Sequence, residues 1–470
     1  TFTHAITSNP VCCPTRATIA TGLTTRGHGV LENGYQLDPR LPTFMRALQK
    51  AGYRTGAFGK LHFRPHYSGL FHDYREYGFD ETHITEDPRG GEWLDWVERE
   101  HPEYFEAALA TIWASQIPDF AEYGPERRDL RSRIQEIRRN FRWATEMFPQ
   151  NTPRAYTLPF PKEVSQTEWI TRHSLDFLQR QDGNQPFFVQ ISYVQPHGPY
   201  CPPGDCMDKV DLSKIPPFAP AEWLTDPHAP GYFKGETPRP RDDYARHCYF
   251  ADLVHLDEQL GRVINQLETK GVLDSTFIIF TSDHGDNLGD HGFYGKEERH
   301  YDACIRVPCI IAGPGLKQGQ VADTIIQHED LCPTFLDIAG TTFPPIPHMG
   351  PHLKDKQIPQ LPGHSLLPIC RGDKTELRDA AYSESYNGIW SIDPGDWVRT
   401  IRTRRYRYTL YWNNGEQLFD LKADPDEQRN LVKDPDYVTI RNDLRDRLMN
   451  LIIAQDWPKT RRELFALGVH

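Results

Sequence analysis

Apolar residues recur along this chain in two alternating rhythms. Leu41, Phe44, Met45 and Leu48 fall at the spacing of one helix face, and Ala51-Gly52 ends that segment. Tyr53 to Phe58 then reads as a short strand that exits at Gly59. The alternation returns further on. Thr167 to Arg180 is an amphipathic helix with Ile170, Phe177 and Leu178 on one face and Trp169 beside them; the strand Phe187 to Val194 follows. Tyr249, Leu253, Leu256, Leu260, Val263 and Leu267 mark a long amphipathic helix closed by Gly271. Phe277 to Phe280 is an unbroken apolar run, the pattern of a strand covered on both faces of a parallel sheet. Helices alternating with such strands predict an α/β fold.

The rhythm is interrupted twice and then changes. Residues 88–162 are rich in Trp, Glu, Arg and Pro without a strand signal, and read as a helical, loop-rich insertion. Residues 201–240 are proline-rich and read as a surface loop. After about residue 370, Ala380–Tyr386, Val398–Thr403, Tyr406–Trp412 and Glu416–Leu421 read as consecutive strands, with a hairpin turn at Asn413-Asn414-Gly415 and a last helix from Val438 to Ala454. The expected organisation is a catalytic α/β domain over residues 1–370. Its large, mixed, mostly parallel sheet is sandwiched by helices. A C-terminal subdomain over 371–470 carries a small antiparallel sheet and one helix.

Composition narrows the function. The chain has 470 residues, 38% of them hydrophobic and 25% charged, as in a globular protein with a sizeable core. Its 65 acidic and 53 basic residues give a net charge of −12, which argues against a nucleic-acid partner. No apolar run approaches the ~20 residues of a membrane span. Nine cysteines, an odd number, do not define a disulfide framework; Cys201 and Cys206 flank a Pro-Pro-Gly turn and could pair, while zinc-type spacing is absent. The cysteines leave the compartment open, with a lean toward the periplasm or secretion.

The chemistry concentrates in short motifs. Cys12-Cys13-Pro14-Thr15-Arg16 is followed by four residues and Thr21-Gly22. Pro14 stiffens the turn and the small residues after it allow a helix to start there. Free helix N–H groups and the Arg16 cation would make the surroundings of Cys12 favourable to an anion. A buried cysteine pair at a helix start is the bland alternative. Asp283 and His284, in Thr281-Ser282-Asp283-His284-Gly285-Asp286, come directly after the apolar run at 277–280, where a parallel sheet presents ligands at its carboxyl edge. They offer oxygen and nitrogen to a cation; an ordinary polar turn would look the same. Lys60 and His62 follow Gly59 at a strand exit, and His197 lies in Pro196-His197-Gly198-Pro199 after another strand. His28, in Arg26-Gly27-His28-Gly29-Val30, lies soon after the cysteine motif.

Together these motifs resemble the type I sulfatases of the alkaline phosphatase superfamily, over nearly all of the chain apart from the insertion and the 201–240 loop. The resemblance implies that Cys12 is oxidised to formylglycine by a maturation enzyme, with Arg16 as its partner; Cys13 fills a variable position and Thr15 stands where serine is commonest. It implies that Asp283, His284 and residue 12 bind a divalent cation, usually calcium, and that Lys60, His62 and Lys296 hold the sulfate. His197 would protonate the leaving oxygen, and His28 would assist the formylglycine. One hydroxyl of the aldehyde hydrate would attack sulfur; the other would expel sulfate as the aldehyde re-forms. The implied substrate is a sulfated small molecule or carbohydrate. Relatives that hydrolyse phosphonate monoesters and phosphodiesters share these features and are one alternative. The other is a non-catalytic binding protein. In the family a strand and an Asp-Asp metal pair come before the cysteine motif. Neither is read here, so the expectation is that the natural N-terminus, with any targeting segment, lies upstream. Asp242-Asp243 follows the proline-rich loop at a helix start and is not taken as a substitute.

Overall fold

The computed structural model of the chain describes residues 1–140, 147–148, 152–220, 229, 241–296, 299–343, 361–386 and 397–455. The larger elements run, in chain order, β1 (Phe2–Ile6), α1 (Cys12–Thr21), α2 (Phe44–Lys50), β2 (Arg54–Gly59), β3 (Glu81–Ile84), α3 (Gln166–Gln179) and β4 (Phe187–Ser192). There follow α4 (Asp243–Thr269), β5 (Ile278–Thr281), β6 (Arg306–Ala312), β7 (Ala322–Gln327), α5 (Leu331–Ile338), β8 (Ala380–Ser385), β9 (Val398–Thr403), β10 (Tyr406–Tyr411), β11 (Gly415–Asp420) and α6 (Val438–Ala454). Every helix and strand expected from hydrophobic spacing is present, with ends displaced by a few residues. Much of the proline-rich loop, from 221 onward, lies outside the described residues.

Two compact units make up the fold. The first comprises residues 1–51, 218–240 and 275–470. Its main sheet has the order β5-β6-β1-β7. β1 runs parallel to β7, with Phe2 opposite Ala322 and Ile6 opposite Gln327, and antiparallel to β6. Phe2, Ala5, Val307, Cys309, Ile326 and Leu331 bury one face of this sheet. The second sheet of this unit is the expected antiparallel meander, β8-β9-β10-β11. Tyr382, Ile401, Tyr408 and Leu418 on its inner face pack with Leu444 and Leu448 of α6. Asn413 and Gly415 take positive φ at 58° and 105°, as the tight hairpin there requires.

The second unit comprises residues 52–217 and 241–274. Its sheet is parallel throughout, in the order β3-β2-β4. Phe177 of α3 packs on Phe58 of β2, with ring centroids 5.5 Å apart. Three of the five ladders in the main sheets of the two units are therefore parallel, namely β1–β7, β2–β3 and β2–β4. The insertion at residues 88–162 carries helices at Glu92–Glu100, Phe105–Ala110 and Arg131–Asn140 and also, where the sequence shows no strand signal, a short antiparallel strand pair, Met147–Phe148 with Thr152–Pro153. Its aromatics Trp93, Trp96, Phe120 and Tyr123 are buried and fill a local core.

Three further features depart from the sequence reading. The apolar run at 277–280 is not a strand covered on both faces. Among the described residues β5 is the last strand of its sheet, paired antiparallel to β6, and Phe280 is 39% exposed. Cys201 and Cys206 do not pair: no two of the nine cysteines are joined in a disulfide, and Arg89 donates a hydrogen bond to Cys201 Sγ at 2.9 Å. β1 and β3 were not legible, because each is short and neither has an unbroken apolar pattern.

Candidate active site

Each unit carries its own group of chemistry-bearing side chains. In the first, the cysteine motif is helix α1 itself. Val11 is the extended residue before it, Cys12 opens it, and Pro14 lies within the first turn, where no intrahelical N–H is needed. Gly22 ends it at φ 68°, its N–H bonded to Thr18 O, and a Cβ there would lie 2.8 Å from Cys332 Cβ. Thr21-Gly22 is thus the helix stop. Cys12 and Cys13 are both fully buried. The Cys13 N–H donates to Asn33 Oδ1 at 2.9 Å, and its thiol makes a longer, weaker contact to the Asn33 carbonyl at 3.7 Å.

Around Cys12 the structure gathers four of the other expected residues. Lys296 Nζ is 2.7 Å from Cys12 Sγ and 2.8 Å from His284 Nε2. His284 Nε2 is itself 3.2 Å from the Cys12 sulfur. His284 Nδ1 lies 2.8 Å from the Gly285 carbonyl, which can only accept, so the ring proton is on Nδ1 and the Nε2 lone pair is available. Arg16 Nε donates to Asp283 Oδ2 at 2.8 Å, and the His284 N–H donates to Asp283 Oδ1 at 3.1 Å. Donor atoms of Cys12, Asp283 and His284 lie within 4.8 Å of one another. A carboxylate plus an imidazole whose second nitrogen is tied to a carbonyl is the usual arrangement of metal-holding side chains. These residues fit a divalent cation.

His28 sits elsewhere on the same scaffold. Its Nδ1 accepts from the Val30 N–H at 3.1 Å and its Nε2 is 3.0 Å from Thr18 Oγ1, about 9 Å along α1 from Cys12. Sequence reading missed the residues that fix the Asp283 turn. Thr7, just after β1, has its hydroxyl 3.0 Å from the Asp283 carbonyl and 3.1 Å from Thr15 Oγ1. His328 donates from Nε2 to the Ser282 carbonyl at 2.9 Å and presents Nδ1 to Thr7 Oγ1 at 3.1 Å. Burial pushes the His328 pKa down to about 4, so this ring is neutral at neutral pH. Thr15 keeps the hydroxyl that a serine would supply, and it donates to the Asn9 carbonyl.

In the second unit, Lys60 leaves β2 through Gly59. That glycine has φ 96°, and a Cβ on it would lie 2.1 Å from the Ser192 carbonyl, so only glycine lets β2 end this close to β4. Lys60 Nζ pairs with Asp87 Oδ1 at 2.6 Å, both side chains nearly sealed from water. His197 Nε2 is 3.6 Å from Asp87 Oδ2, while its Nδ1 donates to Gly198 O at 2.8 Å. Asp87 therefore joins two residues that the motifs named separately. Its neighbour Glu86 accepts the backbone N–H groups of Leu61 and His62 at 3.2 and 2.8 Å, which holds His62 at φ 50°. The signal for both acids was their position just past β3, where strand ends present side chains.

Comparison with known proteins places the chain in a family. The profile of the family described as Sulfatase matches residues 1–341, and that of N-sulphoglucosamine sulphohydrolase, C-terminal, matches 289–454. An arylsulfatase of Clostridium perfringens is 27% identical, with 93% of this chain and 83% of that protein aligned. A choline-sulfatase of Rhizobium meliloti is also 27% identical, over 92% of this chain and 75% of that protein. Among solved structures, the phosphonate monoester hydrolase of Agrobacterium radiobacter has the same fold, with a TM-score of 0.73, 24% identity and coverage of 97% of this chain and 88% of that one. A protein solved with its substrate D-glucosamine-2-N,6-O-disulfate gives a TM-score of 0.66 at 21% identity, covering 97% and 91%. The chain belongs to the sulfatase family and is a sulfatase enzyme.

Proposed function

We propose that the protein hydrolyses a sulfate monoester with residue 12 as nucleophile after its oxidation to formylglycine by a maturation enzyme. The observation that carries this reading is the convergence of Lys296, His284 and Cys12 within 3.2 Å of one another, beside the Arg16–Asp283 pair. As formylglycine, residue 12 would supply an aldehyde hydrate whose second hydroxyl releases sulfate. Asp283, His284 and residue 12 would hold a divalent cation, with calcium the proposed ion; it would stabilise charge on the sulfuryl oxygens.

The remaining roles belong to this chain's own side chains. Lys296 neutralises charge next to residue 12. Arg16 keeps Asp283 oriented. Lys60 and His62 bind the sulfate oxygens. His197, carrying a proton on each nitrogen in this step, delivers the Nε2 proton to the leaving oxygen and keeps the Nδ1 proton on the Gly198 carbonyl, and Asp87 orients both Lys60 and His197. His28 steadies the helix that carries residue 12. The arylsulfatase and choline-sulfatase relatives make small aryl and alkyl sulfates the first substrates to assay, and sulfated sugars the next.

Peptide mass spectrometry of residues 11–16, on protein made with the maturation enzyme present, tests the nucleophile. An aldehyde at residue 12 is expected; a thiol there in fully active protein would sink the reading. Metal analysis before and after chelation tests the ion, since a nitrogen donor such as His284 suits a transition ion as well. A second reading is hydrolysis of phosphonate monoesters or phosphodiesters. It is favoured by the fold the chain shares with the phosphonate monoester hydrolase of Agrobacterium radiobacter, and the Asp283–His284 pair is compatible with it. Faster turnover of aryl phosphonate than of aryl sulfate would establish that reading instead.

A further inference from the structure

The second unit holds another group of donors that none of the roles above uses as a set. His62 and His66 stack ring on ring, with centroids 3.7 Å apart and planes within 5°. Glu86 lies against them, its Oε2 3.5 Å from His66 Nε2. A donor atom from each of the three lies within 4.8 Å of the other two. Glu86 is 6% exposed. Its Oε1 is committed to the Leu61 and His62 N–H groups and to the Tyr74 hydroxyl, 3.4 Å away. Its Oε2 is buried and makes no hydrogen bond among the described residues, and the same is true of His66 Nε2. Burial opposes ionisation of Glu86, yet the adjacent His66 and His62 hold its pKa below the usual carboxylate value. The result is a buried carboxylate with one oxygen turned toward two imidazoles and incompletely compensated.

We propose that His62, His66 and Glu86 form a binding site for a zinc-type dication, and that filling this site inhibits the enzyme. Two imidazoles and one carboxylate are the donor set of zinc, cobalt and copper rather than of calcium or magnesium. Donors at tetrahedral zinc stand about 3.3 Å apart, and the His66–Glu86 separation of 3.5 Å is already close to that. The parallel rings must splay for both nitrogens to reach one ion. His66 can do so by turning its side chain, since it lies on a three-residue turn (His66–Ser68) with its ring 12% exposed. An ion on one His62 nitrogen fixes that ring and leaves only the other nitrogen for sulfate, so filling the site restricts the sulfate contact. The inhibitory half of the proposal rests on the sulfate-binding role given to His62; the metal site itself does not.

Cobalt(II) titration of the Asp283→Asn protein reads the site without the Cys12–Asp283–His284 group. One equivalent with the intense visible band of four-coordinate cobalt is expected, and the band should vanish when His66→Phe or Glu86→Gln is added. Circular dichroism shows that each variant is folded. Zinc should inhibit the otherwise unaltered enzyme at micromolar concentration, and His66→Phe should raise the half-inhibiting concentration at least about tenfold, the effect of losing one ligand or its supporting contact. No cobalt band, or the same band in both variants, would overturn the site. Cobalt binding without zinc inhibition would overturn the inhibitory half and the role given to His62.

Discussion

Asp87 holds Lys60 at 2.6 Å with the two side chains 4% and 2% exposed, so neither charge has water to fall back on. Asp87→Asn removes the carboxylate that pairs with the buried Lys60 ammonium, and should cost about 3–5 kcal/mol in urea unfolding. The double variant Asp87→Asn/Lys60→Met removes both charges and should recover most of that stability, while turnover stays lower by on the order of 10²-fold. A double variant as unstable as the single one would show that Asp87 supports something other than Lys60. Cys12→Ala should lower turnover by on the order of 10³-fold or more. Cys13→Ala should leave it within a few-fold, because the shorter contact at that position, the backbone N–H on Asn33, survives and only the weak 3.7 Å thiol contact is lost. Equal loss from both would remove Cys12 from the nucleophile position. Lys60, Cys12 and Asp283 were legible because each sits in a short motif with its own spacing. Asp87, Thr7 and His328 were not. Their partners lie across strand pairings, and periodicity along one segment does not report what stands beside it in another.

At the level of elements, the site depends on where strands stop. Gly59 ends β2 against the Ser192 carbonyl, and the Lys60 N–H donates to that same oxygen at 2.8 Å. Gly59→Ala forces a Cβ to 2.1 Å from this atom at a positive φ that alanine resists. A loss of about 3 kcal/mol or more is expected in thermal or urea unfolding. Near-native stability would mean that the β2–β4 junction relaxes freely. The glycine and the strand before it were readable, since Tyr53–Phe58 is apolar and closes on a turn residue. β5 shows the opposite case. Its composition is that of a covered strand, but sheet order places it last among the described strands, and order is set by long-range pairing that a four-residue apolar run does not encode. β1 was missed for a related reason: within Phe2–Ile6, Phe2, Ala5 and Ile6 are buried while Thr3 and His4 are half-buried, which is neither clean alternation nor a continuous run.

Over the whole molecule, buried acids and bases set how stability responds to pH. Burial pushes the Glu329 carboxyl up to about 7, with the Ser8 hydroxyl bonded to it. Between the ordinary value of 4.5 and about 7, the folded protein keeps a proton that the unfolded chain has released. That contribution is complete below 4.5 and fades as pH rises to 7. Glu329→Gln removes it, so the variant should gain on the unaltered protein as pH rises through this window, by roughly 1 kcal/mol per pH unit. A stability difference that does not change with pH would contradict this. His328 acts in the other direction. Its folded pKa of about 4 lies below the ordinary 6.5, so its contribution is present above 6.5 and is lost as pH falls toward 4. The thiols have a different consequence. None of the nine is in a disulfide, eight are buried and Cys370 alone is partly open. In native protein a thiol-selective label should therefore capture Cys370 first. Every later capture would time the breathing of the layer around its own cysteine, so the chain carries built-in reporters of local opening that need no engineered probe.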